Sequence, residues 1–257
     1  MAEREEELES KIALVAEEIL RSERIVAFTG AGVSTESGIP DFRSPGGIWT
    51  RFDPEDFTIQ RFLSSEASRK KQWQVLMEGG LFGVVEPNPA HLALARLEAF
   101  GKLDCVITQN IDGLHQAAGI PDENVIELHG NTNYALCLEC SKRFELEPIR
   151  QAFEKNPHAP ACDICGGMVK TATISFGQSM PAAEMHAARK QSLACELFLS
   201  LGSSLVVYPA AGFPEMAKRN GARLVIINRD STAMDDLADL VINESIGAVL
   251  AQAVGLE

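Results

Sequence analysis

The chain has 257 residues, 46% of them hydrophobic, and a formal net charge of −13 at pH 7. Its length allows one large domain or one and a half, and its acidity argues against non-specific binding to DNA or to an anionic membrane. No apolar stretch is long enough to span a membrane and the acidic start is unlike a signal peptide, so we expect a cytoplasmic protein. The charge would suit a basic peptide partner, although solubility alone is a simpler explanation.

Helices and strands are predicted to alternate along the chain. Short apolar runs predict buried parallel strands at 25–28, 103–108, 125–128, 197–201, 223–227 and 240–242. Helical spacing and capping residues predict helices at 3–21, 88–100, from about 181, at 209–220 and at 246–254. This order predicts an α/β fold: a Rossmann-like, doubly wound parallel sheet with helices on both faces.

Two segments interrupt this alternation and predict a smaller second domain. Residues 39–87 have a mixed composition typical of a loop followed by short helices, which we interpret as a cofactor loop and a helical cap. Residues 134–169 contain four cysteines and form the predicted zinc-ribbon module. The dinucleotide-binding domain would then comprise residues 1–38, 88–133 and 170–257, with an extended stretch expected at 171–176.

The first strand is followed by a glycine loop. Gly30 and Gly32 permit a sharp turn and the close approach of a ligand, and N–H groups at such a turn can hold a phosphate. A dehydrogenase fingerprint needs a third glycine where Thr35 stands, and a helix directly behind it. The chain continues instead with Pro40, Asp41, Phe42 and Arg43. We therefore predict a nucleotide site of another kind, with a tight turn lacking any ligand as the alternative.

Four of the six cysteines form two Cys-x-x-Cys pairs, Cys137 with Cys140 and Cys162 with Cys165. Four thiolates in this pattern suit tetrahedral zinc and leave no position open for water, which predicts a structural site. Zinc would supply folding free energy on the order of 10 kcal/mol. A redox pair and a nucleic-acid-binding ribbon remain alternatives, the latter disfavoured by the few basic residues in the spacer.

Polar residues collect where the predicted strands end, which is where open parallel sheets bind ligands. His129 follows the third strand, and a neutral imidazole there could act as a general base. A hydrogen-bonded structural histidine is the alternative. Asn110 and Asp112 follow the second strand and could bind an amide or a sugar hydroxyl, although Asp112 could equally cap a short helix at 114–118.

Several motifs occur in order along the chain: Gly-Ala-Gly-Val-Ser at 30–34, Asp-Phe-Arg at 41–43, Thr-Gln-Asn-Ile-Asp-Gly-Leu-His at 108–115, Leu-His-Gly at 128–130, the four cysteines, Phe-Gly at 176–177, Gly-Ser-Ser at 202–204 and Asn228. Together they resemble the motifs of the sirtuins, which are NAD-dependent protein lysine deacylases. The resemblance covers nearly the whole chain and is to a compact prokaryotic-type member. It implies transfer of an acyl group from lysine to ADP-ribose, with release of nicotinamide.

The resemblance also implies roles for individual residues. NAD would lie between the two domains, bound by Gly30, Ala31, Gly32, Asp41, Phe42, Arg43, Gln109, Asn110, Ile111, Asp112, Gly202, Ser203, Ser204, Asn228, Arg229, Ser245 and Ile246. His129 and Asn110 would be the catalytic residues, with His129 taking a proton from the ribose. An acylated lysine peptide would bind as an extended strand against Ile174, Phe176, Gly177, Val207 and Tyr208. Neither nucleic acid nor membrane is expected as a partner.

The sequence departs from the family pattern at two places. Gln178 stands where members usually carry glutamate, which removes a charge near the expected peptide rim. The Tyr-x-x-Arg of members that accept succinyl or malonyl groups is replaced by Trp-Gln-Val-Leu at 73–76, so we expect neutral acyl groups. Three other functions stay open on the residues alone: hydride transfer, mono-ADP-ribosyl transfer, and a zinc-bearing binding module without catalysis.

Overall fold

The computed structural model describes residues 2–78 and 83–256, with side chains from residue 5 onward, so part of the predicted cap (79–82) lies outside the described residues. The strands are β1 (Ile25–Thr29), β2 (Leu103–Thr108), β3 (Val125–Glu127), β4 (Tyr134–Cys137), β5 (Arg143–Glu145), β6 (Val169–Thr171), β7 (Leu197–Leu201), β8 (Arg223–Ile227) and β9 (Leu240–Ile242). The helices are α1 (Ala2–Arg21), α2 (Ile59–Ser64), α3 (Glu66–Met77), α4 (Pro89–Ala99), α5 (Leu114–Ala117), α6 (Leu146–Lys155), α7 (Ala182–Ala194), α8 (Gly212–Arg219) and α9 (Ile246–Ala253).

Six strands form one parallel sheet in the order β3-β2-β1-β7-β8-β9, which confirms the predicted doubly wound topology. The strand order reverses between β1 and β7, so the carboxyl ends of these two strands form the crevice in which such sheets bind ligands. Both strands are buried along their full length, as their mainly apolar sequences predict. Separate clusters of buried side chains pack on the two faces of the sheet.

The smaller unit combines the cap helices with a three-stranded antiparallel sheet, β5-β4-β6. A third cluster of buried side chains lies here, and it includes Trp73 of α3 together with Cys137 and Cys162. The indole N–H of Trp73 donates to the carbonyl of Val169 at 3.2 Å, which fastens the cap to the small sheet. The Trp-Gln-Val-Leu segment thus begins with a residue that holds the two parts of the smaller unit together.

The chain differs from the sequence predictions at two connections. The predicted extended stretch at 171–176 is strand only to Thr171, and the chain then bends at residues 172–173. The helix predicted at 209–220 begins at Gly212, because residues 209–211 form a turn first. Since β6 pairs with β4, the proposed domain boundary at residue 170 falls inside a strand of the small sheet. Among the described helices, none is both long and apolar enough to cross a membrane.

Candidate active site

The loop after β1 packs directly on the loop after β7, where the strand order reverses. A 3-10 turn, Ala31–Ser37, follows Gly30, whose N–H donates to the carbonyl of Leu201 at 3.0 Å. Gly202 has a φ of +64°, and a Cβ built on it would lie 2.3 Å from the nitrogen of Val33. Gly30 and Gly32, which the sequence predicts to permit the approach of a ligand, are therefore also needed where the two loops contact each other.

Replacing Gly202 with alanine should strongly destabilise the protein. The left-handed backbone costs a side chain about 1–2 kcal/mol, and the clash with backbone atoms adds to this cost. Gly101→Ala is the matched control, because Gly101 has a φ of +68° but nothing within 4 Å of its would-be Cβ. We expect thermal unfolding to show a clearly larger loss for Gly202→Ala. Equal losses of stability in the two variants would contradict the conclusion that Gly202 is needed for contact between the two loops.

The same crevice offers donors suited to a pyrophosphate. The backbone N–H groups of Ala31, Ser203 and Ser204 have no acceptor within the described part of the chain. N–H groups at successive turn positions of this kind bind anionic oxygens. These donors at the switch point fit the phosphates of a dinucleotide, and the polar strand ends beside them fit its sugar and amide groups.

His129 lies just beyond β3, half-buried, and its hydrogen bond defines its tautomer. Its Nδ1 lies 2.8 Å from the carbonyl oxygen of Gln109. A carbonyl can only accept, so Nδ1 carries the proton and Nε2 keeps its lone pair. Burial lowers the pKa of His129 below its ordinary 6.5, although the bond to Gln109 works in the opposite direction. The imidazole is therefore neutral near pH 7, with a basic nitrogen free to take a proton.

Gln109 connects three strand ends through both its backbone and its side chain. Its N–H donates to the carbonyl of Thr29, and its side-chain amide donates to Ser203 Oγ at 2.9 Å. Its own carbonyl accepts the bond from His129. The position of the candidate base is thus set by the same residue that reaches the loop after β7.

Asn110 and Asp112, predicted to bind the nicotinamide amide, meet at the hydroxyl of Ser34. Asn110 Nδ2 donates to Ser34 Oγ at 3.2 Å, and Ser34 Oγ donates to Asp112 Oδ2 at 2.8 Å. The other carboxylate oxygen of Asp112 accepts the N–H of Leu114 at the start of α5 at 3.0 Å, although the N-cap residue of this helix is Gly113. Ile111 lies between them and accepts a bond from Thr132 Oγ1 through its carbonyl.

Two buried histidines support this group, and the sequence reasoning assigned neither of them a role in it. His91 Nδ1 accepts the N–H of Asn88 at 3.3 Å, which leaves Nε2–H beside Ser34 Oγ at 3.5 Å. His115 Nε2 lies 2.9 Å from Thr29 Oγ1. Burial lowers the pKa of His91 to about 4 and that of His115 to about 3, so both are neutral. A capping box with Asn88 places His91 at the start of α4, and its approach to Ser34 is a tertiary contact.

The loop after the 3-10 turn is held by the carboxylate of Asp41. This carboxylate accepts bonds from the N–H groups of Arg43 and Ser44 and from the Ser44 hydroxyl. Burial raises the pKa of Asp41, but the bonds from Ser44 and Arg43 outweigh it, and the net pKa lies below its ordinary value. Arg229 reaches across from the end of β8 to Ser44 Oγ at 2.6 Å. These contacts support a role for Asp41 and Arg229 in shaping the loop, whereas Arg43 is exposed.

Aromatic side chains join this loop to the cap and to the predicted peptide segment. The ring of Trp49 lies 5.1 Å from that of Phe42, 5.6 Å from that of Phe57 and 5.9 Å from that of Phe176, between ring centroids. The sequence reasoning placed Trp49 in the cap and missed this bridging position. The cluster forms one continuous apolar wall from the cofactor loop to the peptide segment.

The predicted adenine end and the predicted peptide groove are both partly open. Asn228 is half-buried, and Ser245 caps α9, while Ile246 is buried in the core. Along the groove, Phe176 and Tyr208 are 45% and 65% exposed, Gly177 is exposed, and Ile174 and Val207 are half-buried. The N–H of Ile174 donates to the carbonyl of His129 at 2.8 Å, so this segment lies against the candidate base.

The four cysteines Cys137, Cys140, Cys162 and Cys165 converge at one point, with all four sulfur atoms within 4.8 Å of one another. Cys137 Sγ lies 3.5 Å from Cys165 Sγ, and Cys140 Sγ lies 3.6 Å from Cys162 Sγ. Four sulfurs bound tetrahedrally to zinc at about 2.3 Å would be roughly 3.8 Å apart, so the cluster fits this metal. It also leaves no ligand position for water, which fits a structural role.

The fold and the site together define a doubly wound, nucleotide-binding α/β protein with a four-cysteine metal module. The Sir2 family model matches residues 30–209, more than half of the chain. The chain therefore belongs to the Sir2 family.

The names of relatives with similar sequences state the same activity, NAD-dependent protein deacetylation. The chain is 53% identical to an NAD-dependent protein deacetylase 1 of Bradyrhizobium diazoefficiens over 97% of both chains. It is 50% identical to an NAD-dependent protein deacetylase of Rhodopseudomonas palustris, over 96% of this chain and 98% of the relative. A solved structure of Sir2 with a p53 peptide and NAD+ superimposes with a TM-score of 0.83 at 36% identity, over 93% of this chain and 95% of that one.

Proposed function

We propose that this protein is an NAD-dependent protein lysine deacetylase that transfers the acetyl group to ADP-ribose and releases nicotinamide. The observation that carries the assignment is the tautomer of His129. Its Nδ1–H is bound to the carbonyl of Gln109, which leaves Nε2 as a base next to the switch point of the sheet. NAD supplies the electrophilic ribose carbon and the hydroxyl that accepts the acyl group.

Residues of the chain bind NAD, accept the proton and exclude water. The N–H groups of Ala31, Ser203 and Ser204 hold the phosphates, and Asn110 and Asp112 bind the nicotinamide amide. His129 Nε2 takes a proton from the ribose hydroxyl, and burial keeps this nitrogen unprotonated at neutral pH. The aromatic wall around Trp49 excludes water from the reacting groups until the acyl group has been transferred.

The peptide would bind as an added strand between the segment at 176–177 and the loop at 206–209. Backbone hydrogen bonds give affinity with little demand on sequence, and the exposed rings of Phe176 and Tyr208 would cover the peptide and its acyl-lysine. We also propose a cytoplasmic location, supported by a cluster of four cysteines that needs reduced thiols.

The direct test is an acetyl-lysine peptide incubated with and without NAD, followed by the masses of all products. We expect free lysine, nicotinamide and O-acetyl-ADP-ribose, formed only when NAD is present. A peptide heavier by one ADP-ribose would identify mono-ADP-ribosyl transfer instead, and reduced cofactor would identify hydride transfer. A succinyl-lysine peptide in parallel tests the acyl preference, and rapid desuccinylation would contradict the expected restriction to neutral groups.

The rate should decline on the acid side only below pH 6.5. Deacetylation needs neutral His129, whose pKa burial lowers from 6.5, so the base form persists through the neutral range. The measurement is kcat for deacetylated peptide against pH, with NAD and the peptide both saturating. An acid midpoint above 6.5 would mean that His129 is not the group whose protonation stops the reaction.

A further inference from the structure

Lys170 is a buried cation that the proposed reaction does not use. It lies on β6, is 2% exposed, and is among the largest fully buried side chains of the described chain. Its Nζ donates to the carbonyl of Thr173 at 2.5 Å, to Thr173 Oγ1 at 3.1 Å and to the carbonyl of Thr171 at 3.4 Å. All three acceptors are neutral, and no ion pair with Lys170 occurs in the described ranges.

The groups packed around Lys170 carry no charge. Helix α2 places the ring of Phe62 6.0 Å from Nζ, and α3 contributes Gln72 and Trp73 to a cavity of about 20 Å³ beside it. On the small sheet, Leu136 of β4 is its register partner. An ammonium group buried without a counter-ion is unfavourable, and an apolar side chain would fill the same space at lower cost. Burial alone therefore does not explain why a lysine stands here.

The three hydrogen bonds bring the carbonyl groups of Thr171 and Thr173 towards one cation, on the two sides of residue 172, and so hold the bend at residues 172–173. The chain leaves β6 at this bend and passes to the active site. The next residue, Ile174, donates its N–H to the carbonyl of His129 at 2.8 Å. Phe176 then exchanges backbone hydrogen bonds with the cap, donating to Phe57 and accepting from Ile59. The bend thus fixes where the predicted peptide-binding segment meets both the candidate base and the cap.

We propose that Lys170 is a positioning residue for the acylated peptide. Its ammonium group holds the bend so that the segment at 174–177 presents its edge to the peptide strand, and its removal weakens peptide binding but not NAD binding. This assignment rests on the proposed function, because the segment binds a peptide only in a deacetylase of this kind.

The charge of Lys170 gives the assignment a distinctive pH signature. Burial lowers the pKa of Lys170 from 10.5 to about 8. The ammonium group is thus largely present at neutral pH and is lost as the pH rises through 8, which should weaken peptide binding. The stability changes in the opposite sense: between pH 8 and 10.5 the unfolded chain binds a proton that the folded chain does not, so the contribution of Lys170 to stability increases with pH.

The test uses the full chain and its Lys170→Arg and Lys170→Met variants. The probe is an acetyl-lysine peptide with blocked ends and no other titratable group, and its Kd is measured by calorimetry at about pH 7 and about pH 9.5. We expect wild-type binding to weaken roughly tenfold at the higher pH, because the lysine loses its proton there. Lys170→Arg should bind equally at both pH values, because arginine stays charged. Lys170→Met should bind weakly at both.

Two further measurements separate positioning from a purely structural role. KM for NAD should change less than about twofold in Lys170→Met, while KM for the peptide rises about tenfold. Thermal unfolding at the two pH values should show wild type gaining stability relative to Lys170→Met as the pH rises. If peptide affinity increased with pH together with stability, the assignment would be overturned.

The outcomes distinguish this assignment from the proposed function. An alkaline loss of peptide affinity that persists unchanged in Lys170→Arg would overturn the role of Lys170, as would wild-type affinity in Lys170→Met. If Lys170→Met does not fold, the comparison of wild type with Lys170→Arg still decides. Wild-type protein that releases no nicotinamide with peptide and NAD would refute the proposed function, whereas calorimetry needs no turnover and continues to test Lys170.

Discussion

The His129→Ala variant is expected to lose deacetylation by about a thousandfold while the protein stays folded, which is the range for removal of a general base. The imidazole makes one hydrogen bond within the described residues, to the carbonyl of Gln109. Loss of this bond should cost about 1 kcal/mol of stability. Activity should therefore fall far more than stability, measured as the formation of deacetylated peptide beside a thermal unfolding curve.

His186→Ala is a suitable control, because His186 is exposed on α7 and outside the site. It should retain wild-type rates. Since the proton transfer assigned to His129 follows the release of nicotinamide, His129→Ala should still exchange labelled nicotinamide into NAD when the peptide is present. Retained exchange with lost deacetylation would place the defect at the proton transfer. Full turnover in the variant would remove His129 as the base.

The sheet and the metal ligands were predictable because their signals are local. The run at 197–201 is apolar except for Ser200, and the structure buries every residue of it. The cysteine pairs carry their ligand chemistry in their spacing, and the four sulfurs converge as expected. The carboxyl ends of parallel strands share one edge, so Gln109 and His129 could be expected to lie together before any coordinates were known.

The contacts that tune the site were not predictable, because each joins residues far apart in the chain. Ser34 receives a bond from Asn110 and donates to Asp112, which fixes the group expected to bind nicotinamide. The bend after β6 accepts hydrogen bonds from the ammonium group of Lys170, which in the sequence is an ordinary charged residue in a strand pattern. Periodicity predicts which face of an element is buried, but it does not identify the partners on that face.

Removal of zinc is expected to cause the largest loss of stability, and this loss should be confined to the smaller unit. The buried cluster beside the metal contains few side chains, and two of them are the ligands Cys137 and Cys162. Such a cluster cannot stabilise β4–β6 alone, so loss of zinc should remove on the order of 10 kcal/mol of folding free energy. The parallel sheet has its own clusters on both faces and should survive.

Fluorescence can observe this local unfolding, because both tryptophans of the chain, Trp49 and Trp73, lie in the loop and cap. Trp73 is 2% exposed and bound to Val169 of β6, so unfolding of the small sheet should shift tryptophan emission to the red. Far-UV circular dichroism should keep most of its signal. The measurement follows zinc content, emission and dichroism together during chelation.

Cys140→Ser should reproduce the chelated state, because Cys140 is exposed and has no packing role apart from the metal site. Cys105→Ala is the control: Cys105 is buried in the main core, and its replacement should cost about 1 kcal/mol without any change in emission. The unfolded module would release β6 and with it the bend that leads to Ile174 and His129. Peptide binding should therefore disappear with the zinc, while NAD still binds to the sheet. Unchanged tryptophan emission in protein shown to lack zinc would contradict a structural role for the metal.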